Sequence, residues 1–458
     1  MATSANASPW EPVMKSVFVS RYAGLSLLSL VIEQAIVASS TFWLAWLAKA
    51  IADGSTLLPP FIGFVCSLTL VYVPSLIKRT CLAKAKVAAL ERYVDLCSRG
   101  LHCVPHLSQN QVFQRERRGF IETESFLVID EAFDFADMSL GLLLNVAFNV
   151  SALCIAFGAR LLWAYLLAAG LGIALTAASA KRVRSDSAAM QESRAGAYGA
   201  LAGAWDAITL GNAYNLDLWR KDFGRKIAGY RTGAAGAVRN IEALTSLTLW
   251  VSVIPVAAFM AHALFSPHAN AALKTVILAT FPRQIQVIQY IADIVNCLLR
   301  WSAARERVRS LGRALVVGPD TGGMTGRIQK ERIACVNAEG LQVELDGFEP
   351  PGTGRLTVRG GNGSGKSTWL LDLKRRRPNG SIILPAHNRL HFASVAGADL
   401  STGQRLGRIM EELYAVEPLQ LILLDEWDAN LDRENMQRID ALIDRLARRC
   451  CVIEVRHR

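Results

Sequence analysis

The stretch LTVRGGNGSGKSTWLLDL, residues 356–373, carries the strongest local signal in this sequence. It predicts a strand, a glycine-rich turn and a helix, and the turn satisfies the pattern GxxxxGK[ST]. Glycines let a backbone wrap around phosphates, the start of a helix supplies N–H donors, and a lysine at this place supplies positive charge. A chance match in a glycine-rich turn is the alternative, but the strand-to-helix setting makes chance matches rarer. The stretch therefore predicts a phosphate site.

The contacts to a bound nucleoside triphosphate and its Mg²⁺ are expected from consecutive residues of this turn. The residues concerned are Gly360, Gly361, Asn362, Gly363, Ser364, Gly365, Lys366, Ser367 and Thr368. Among them, the hydroxyl of Ser367 is the predicted magnesium ligand.

A second signal lies in LQLILLDEWDANLD, residues 419–432. Its apolar run predicts a buried strand that places Asp425 and Glu426 at its carboxyl end, where α/β sheets bind ligands. Asp425 is expected to hold Mg²⁺, directly or through water. Glu426 is expected to orient or deprotonate an attacking water.

The first three hundred residues have a different character. The chain has 458 residues, is 52% hydrophobic and has a mean hydropathy of +0.25, which indicates two unlike parts rather than one soluble core. Six stretches are long and apolar enough for helices that cross a bilayer. They lie near 23–48, 57–77, 138–158, 161–179, 241–264 and 272–299.

The links between these stretches alternate in length, and the basic residues concentrate in the long ones. Links 49–56, 159–160 and 265–271 are short, whereas 78–137 and 180–240 are long and rich in helix formers. The net charge of +11 is then a topology signal that keeps the long links and both termini in the cytosol. No soluble basic module appears, so the charge does not indicate a nucleic-acid partner. We expect a multi-pass protein of a bacterial-type inner membrane.

Polar residues inside the predicted spans need an explanation, because inserting a charge at the bilayer centre costs about 3 kcal/mol of free energy. Arg283, Gln286, Tyr290 and Asp293 share one face of the sixth span, which predicts a wet substrate cavity that also includes Glu33 of the first span. The alternative is that Glu33 and Arg283 simply pair inside the bundle. In the third span, the spacing of the asparagines at 145 and 149 favours hydrogen bonds between helices.

The predicted domains follow from these changes in composition. They are a cytosolic segment 1–22, a transmembrane domain 23–312, a glycine-rich linker 313–327 and a nucleotide-binding domain 328–458. The nine cysteines are scattered without a CxxC pair, which indicates reduced thiols rather than a disulfide framework.

Further motifs make the chain resemble an exporter-type half-transporter of the ATP-binding cassette family along nearly its whole length. LSTGQ, residues 400–404, looks like the family's signature motif, LD at 431–432 is similar to its D-loop, and His457 falls at the place of its switch histidine. The resemblance implies that two cassettes sandwich two ATP molecules. It places Ser401, Gly403, Gln404 and Asp432 at the nucleotide, with Ser401 and Gly403 reaching the γ-phosphate from the opposite subunit. It also implies that His457 steadies the attacking water or the γ-phosphate.

The sequence departs from the family pattern in the cassette. Thr402 stands where the signature usually has glycine, and no glutamine for a Q-loop occurs between Lys366 and Ser401. That interval is also too short for a full helical subdomain. Phe348 is the nearest candidate to stack on adenine, with a place in the core as its alternative role.

The expected fold is therefore an α-helical six-span transmembrane bundle with long cytosolic helical extensions. An α/β P-loop nucleotide-binding domain that lacks most of the helical subdomain follows it. The expected function is ATP-driven export of a hydrophobic, amphipathic or peptide substrate by a dimer with a second half-transporter, with a homodimer favoured over a heterodimer. The alternative is a membrane-embedded nucleotide sensor or regulatory subunit with little ATP hydrolysis. The bends of the long links, around residues 112–120 and 205–212, are the expected coupling points.

Overall fold

The computed structural model describes residues 16–102, 104–105, 124–201, 203–267, 270–315, 325–385, 390–397, 400–416, 419–429 and 431–456. The chain divides into two compact units. The first comprises Met1–Arg92 with Phe126–Gly312, and the second comprises Tyr93–Ser125 with Arg313–Arg458.

The first unit is built from long helices. They are α1 (Arg21–Ala52), α2 (Leu58–Leu70), α3 (Tyr72–Leu101), α4 (Ser125–Phe157), α5 (Arg160–Leu201), α6 (Ala204–Thr209), α7 (Ala213–Phe265) and α8 (Ala271–Leu315). Helices α3, α5 and α7 join the apolar stretches to the predicted long links. The prediction that the links are mainly helical is therefore confirmed for the described residues, with an interruption at 210–212.

Antiparallel packing of α5 and α7 organises much of this unit. Ser252 donates a hydrogen bond to the Ala168 carbonyl at 3.1 Å, and Asn240 donates to Asp186 at 2.8 Å. A side chain at Gly172 would meet Ser252 and Thr248 at 3.2 to 3.3 Å, so glycine permits the close approach of the two helices there. Further apolar packing joins α4, α5, α7 and α8 around Leu153, Leu161, Met260 and Ile288.

Within the described residues, five helical segments are long and apolar enough to cross a membrane. They are Arg21–Ala52, Leu58–Leu101, Ser125–Phe157, Arg160–Arg182 and Ala213–Phe265. The predicted sixth span, 272–299, forms part of α8, but α8 is not among the five. Its polar residues, which include Arg283, Gln284 and Gln286, lower the hydropathy of this segment. The count of six spans therefore exceeds what the helices show.

The second unit contains a mixed sheet of six strands. They are β1 (Ile333–Asn337), β2 (Gln342–Val343), β3 (Gly354–Gly360), β4 (Ser381–Leu384), β5 (Leu421–Asp425) and β6 (Cys451–Val455), in the spatial order β2-β1-β3-β6-β5-β4. Strands β3, β6, β5 and β4 are parallel, and β1 is antiparallel to both of its neighbours. Three helices accompany the sheet: α9 (Lys366–Arg376), α10 (Thr402–Ala415) and α11 (Arg433–Ala447).

Both faces of β5 and β6 are buried, which explains why their sequences are mainly apolar. In β5, Ile422 and Leu424 pack on the side of α10 and α11, and Leu421 and Leu423 pack with Trp369 of α9. The two faces alternate residue by residue, as a strand requires. Because β3 and β5 are parallel, their carboxyl ends lie at the same edge of the sheet. The glycine-rich turn and Asp425 are at this edge.

Candidate functional site

The glycine-rich loop connects β3 to α9 in the predicted order of strand, turn and helix. Gly363 and Gly365 adopt positive φ angles of 79° and 92°, which side-chain-bearing residues rarely adopt. An added Cβ at Gly360 would lie 2.6 Å from the Arg332 carbonyl, and one at Gly365 would lie 2.5 Å from the Arg327 carbonyl. The fold therefore needs glycine at these places. The first backbone N–H groups of α9 come directly after the loop.

Polar side chains of the loop are held inside it. The Lys366 ammonium donates hydrogen bonds to the Gly360 and Gly361 carbonyls at 2.7 and 3.2 Å. The Ser364 hydroxyl is buried and has no hydrogen-bond partner among the described residues. Gly361, Asn362 and Gly363 are exposed. Such an arrangement offers a cation and an unused hydroxyl in one small loop, which suits an anionic ligand.

Ser367 and Asp425 meet although 58 residues separate them in the chain. The Ser367 hydroxyl donates to the Asp425 carboxylate at 3.0 Å. Burial raises the pKa of Asp425; the Ser367 hydrogen bond and the Lys366 charge oppose this shift, and the Glu426 charge adds to it. Oxygen ligands of this kind suit Mg²⁺, which usually takes one or two protein ligands and completes its shell with water and phosphate. The pair thus fits the predicted magnesium site.

Glu426 follows β5 in a strained conformation. Its φ angle is 49°, the one positive value found among the non-glycine residues that the structure describes. Its N–H donates to the Val455 carbonyl at 3.0 Å, which ties it to the end of β6. Left-handed backbone at a non-glycine residue costs about 1 to 3 kcal/mol and is found most often at functional sites.

Strand β6 carries a buried carboxylate, Glu454, that the sequence analysis did not predict. Glu454 is fully buried and accepts five hydrogen bonds, two of them from Arg355 at 2.9 and 3.1 Å. Thr357, Trp427 and Arg456 donate the other three at 2.9 to 3.0 Å. The network holds Trp427, the residue next to Glu426. A glutamate within the apolar run CVIEV was the signal that could have revealed it.

The same network extends to the surface through Arg355, which also binds Asp440 and Asp444 at 2.6 Å. Burial lowers the pKa of Arg355, but hydrogen bonds to Glu454, Asp440 and Asp444 outweigh it and raise the pKa. The guanidinium therefore stays charged and compensates the buried carboxylate.

The signature-like residues lie at the start of α10 and have structural partners. The Ser401 hydroxyl accepts from the Gln404 N–H at 3.3 Å, and the Gln404 side chain accepts from the Ser401 N–H at 3.2 Å, which forms a capping box. Gly403 is buried against Asn435, where a Cβ would lie 2.6 Å from the amide carbon. Asp432 caps α11 by accepting from the Asn435 N–H at 2.8 Å. The hydrogen bonds found for Ser401, Gln404 and Asp432 in the described residues stay within these two helix starts.

Other predicted site residues have different positions. His457 lies outside the described residues. Phe348 is buried with its ring 5.4 Å from that of Trp369, so it belongs to the core and is not available to stack on a base. Between β4 and α10, the described residues contain one short 3₁₀ turn, Ala393–Val395, in the interval predicted to lack a helical subdomain.

Comparison of the chain with models of known protein families and with curated proteins finds no match. The site's chemistry must therefore be argued from its own residues.

The polar residues predicted to line a cavity in the helical unit separate into different environments. Glu33 pairs with Lys78 at 2.9 Å, so the alternative pair of Glu33 with Arg283 is wrong. Arg283 donates to Gln286 at 2.6 Å and lies at the junction of α1, α4 and α8. Tyr290 and Asp293 lie about two and three turns further along α8, and Asp293 is exposed.

Arg283 also binds Asn149, one of the two asparagines of α4. Its Nε donates to the Asn149 side chain at 3.1 Å and to the Thr41 hydroxyl at 3.0 Å, and Thr41 donates to Asn149 at 2.7 Å. Asn145 donates to Gln34 at 2.7 Å. The predicted hydrogen bonds between helices at Asn145 and Asn149 are thus confirmed.

Proposed function

We propose that the chain is an ATP-driven exporter of the ATP-binding cassette type that works as a dimer in a bacterial-type inner membrane. The observation that carries this proposal is the meeting of the glycine-rich loop with Asp425 through the 3.0 Å hydrogen bond from Ser367. The resemblance at LSTGQ and LD, the residues after β5 and the long apolar helices add support. The proposal includes a sixth membrane span in α8, whose helix packs on α4, α5 and α7.

The proposed site divides the work of hydrolysis among residues of one sheet edge. Backbone N–H groups of the loop and the Lys366 ammonium would bind the phosphates, while Ser367 and Asp425 would hold Mg²⁺. The ion neutralises charge on the phosphates and polarises them when it is bound. Glu426 would orient the attacking water and accept its proton. The hydrogen bond from its backbone N–H to the Val455 carbonyl holds the Glu426 backbone in position.

A nucleotide bound between two chains would also require residues from the partner. We propose that Ser401 and Gly403 of one chain face the phosphates held by the loop of the other. This places the start of α10 against an anion, where the N-terminal end of a helix dipole is favourable.

The decisive measurement is ATP turnover by the purified full chain in lipid nanodiscs. We expect Mg²⁺-dependent hydrolysis that Glu426→Gln abolishes while ATP binding persists, because the substitution removes the proton acceptor and keeps the phosphate loop. Lys366→Ala should weaken ATP binding itself. Glu339→Gln, an exposed change in the turn between β1 and β2, is the matched control and should leave turnover unchanged. Absence of ATP binding in the unmodified chain would refute the proposal.

A second function, nucleotide sensing without productive turnover, is favoured by the short interval between β4 and α10. The same nanodisc assay separates the two, since binding without hydrolysis by the unmodified chain supports the sensor.

A further inference from the structure

Helices α1, α4 and α8 line a half-open cavity of about 320 Å³ near one end of the bundle. Its wall includes Phe42, Trp46 and Lys49 of α1, Ile155 of α4 and Val276 of α8. All three helices begin or end close to these residues, since α1 ends at Ala52, α4 ends at Phe157 and α8 begins at Ala271. The cavity therefore lies toward one end of the bundle.

Of the described residues that line the cavity, Lys49 alone is charged. Lys49 lines it, and none of the carboxylates in the described residues forms an ion pair with the Lys49 ammonium. Arg283 lies about two turns beyond Val276 on α8. Within the described residues it donates hydrogen bonds to neutral oxygens of Val37, Thr41, Asn149 and Gln286. Glu33 differs because Lys78 compensates its charge. Lys49 is exposed in the last turn of α1, and Arg283 is partly buried further along the bundle. Two cations that form no ion pair with a carboxylate of the described residues favour an anion.

The walls suit an aromatic or aliphatic body. The rings of Phe42 and Trp46 lie 6.2 Å apart, and Trp46 stacks on Trp43 at 5.4 Å. Trp43 is fixed in turn by Gly63, where an added Cβ would lie 2.4 Å from its ring. At about 30 Å³ for a water-sized group, the cavity holds a compact molecule of roughly ten such groups and is too small for a two-chain phospholipid.

We propose that this cavity binds a small amphipathic anion, with its charged group at Lys49 in the positive field of Arg283 and its apolar body against Phe42 and Trp46. The inference rests on the proposed function, for which it names the class of exported substrate. Arg283 supplies charge from the polar cluster, and Lys49 supplies the direct contact.

The test is equilibrium dialysis of the full chain in phosphatidylcholine nanodiscs without ATP. The probes are 2-naphthoate, neutral 2-naphthamide and cationic 2-naphthylmethylammonium, which share one apolar body and differ in charge. We expect naphthoate to bind about tenfold tighter than the amide, as for a charge-assisted hydrogen bond, and the cation to bind weakest. Lys49→Gln should abolish the preference for naphthoate. Lys274→Gln, an exposed lysine near the start of α8 that does not line the cavity, should preserve it.

Arg283 is tested by a charge-conserving change, because its loss would also remove hydrogen bonds that join three helices. Arg283→Lys should keep the order of the three probes, whereas Arg283→Gln should reduce the preference for naphthoate. Equal binding of the probes, an unchanged preference in Lys49→Gln, or displacement of naphthoate by phosphatidylglycerol in the nanodisc would overturn the inference.

Failure of the two proposals can be told apart because the dialysis needs no nucleotide. If ATP is hydrolysed but naphthoate shows no preference, the substrate class is wrong and the exporter proposal stands. If naphthoate binds as expected but ATP does not bind, the cavity stands as an anion site and the exporter proposal is wrong.

Discussion

Asp425, at the edge of the sheet, is a proposed Mg²⁺ ligand whose burial lowers the stability of the folded chain when the carboxyl is ionised. Because burial raises its pKa in the folded chain, its ionised form is less favourable folded than unfolded. The stability contribution of this group is therefore full below the ordinary aspartate pKa of about 3.9 and is lost as pH rises through the folded pKa.

We expect Asp425→Asn to raise the unfolding temperature of the nucleotide-free chain at pH 7 and to remove Mg²⁺-dependent ATP binding. The gain should shrink as pH falls below the folded pKa, since the native carboxyl is then neutral as well. Differential scanning fluorimetry between pH 4 and pH 8 checks this dependence. Asp346→Asn, an exposed change in the same unit, should give no comparable gain, and a gain of equal size there would contradict the explanation.

At the scale of elements, helix α10 starts with a capping box that gives Ser401 a structural role beside its proposed role in binding phosphate. We expect Ser401→Ala to destabilise the start of α10 by about 1 kcal/mol, measured by hydrogen exchange of residues 402–410. Ser401→Asp keeps a capping oxygen and should restore protection. It should still impair turnover, because a carboxylate would face the phosphates, whereas normal turnover in Ser401→Asp would restrict Ser401 to capping.

Strand β6 pairs with β3 and β5 and carries Glu454, whose network joins these strands to α11. Removing one partner of a buried, compensated charge costs about 3 kcal/mol or more, so Glu454→Gln should lower the unfolding free energy of the second unit by that order. Hydrogen exchange across β6 and α11 measures it. Asp444→Asn removes an exposed partner of the same arginine and should cost about 0 to 1 kcal/mol. Similar losses in both variants would show that burial of Glu454 does not decide the effect.

For the whole molecule, the proposed dimer with two shared ATP sites predicts that turnover requires residues from both chains. Each ATP would use the loop of one chain and the α10 start of the other, so Lys366→Ala and Ser401→Asp chains should each be inactive alone. Mixed dimers contain one site free of both changes and should recover ATP turnover. Co-purified pairs with different affinity tags, assayed in nanodiscs, provide the measurement. Inactive mixed dimers would contradict a shared site, and activity in either variant alone would contradict the proposed role of its residue.

The local features of this protein follow from its sequence, because they depend on short-range periodicity and backbone chemistry. Residues 361–365 form the predicted turn between a strand and a helix, Asp425 ends a buried strand, and most described residues of the long links are helical. Those patterns did not fix the number of spans: polar groups of α8 lower its hydropathy, yet its other residues pack into the same apolar core.

Contacts between distant residues were decided by the tertiary structure alone. Lys78 forms an ion pair with Glu33 because antiparallel helices bring the two side chains together. Arg283 instead donates hydrogen bonds to the side-chain amides of Asn149 and Gln286. Glu454 lies in an apolar strand whose sequence gives no partner, and only the sheet order β3-β6-β5 brings Arg355 and Trp427 to it. A buried charge is stable only beside its compensating groups, and the fold alone determines which groups those are.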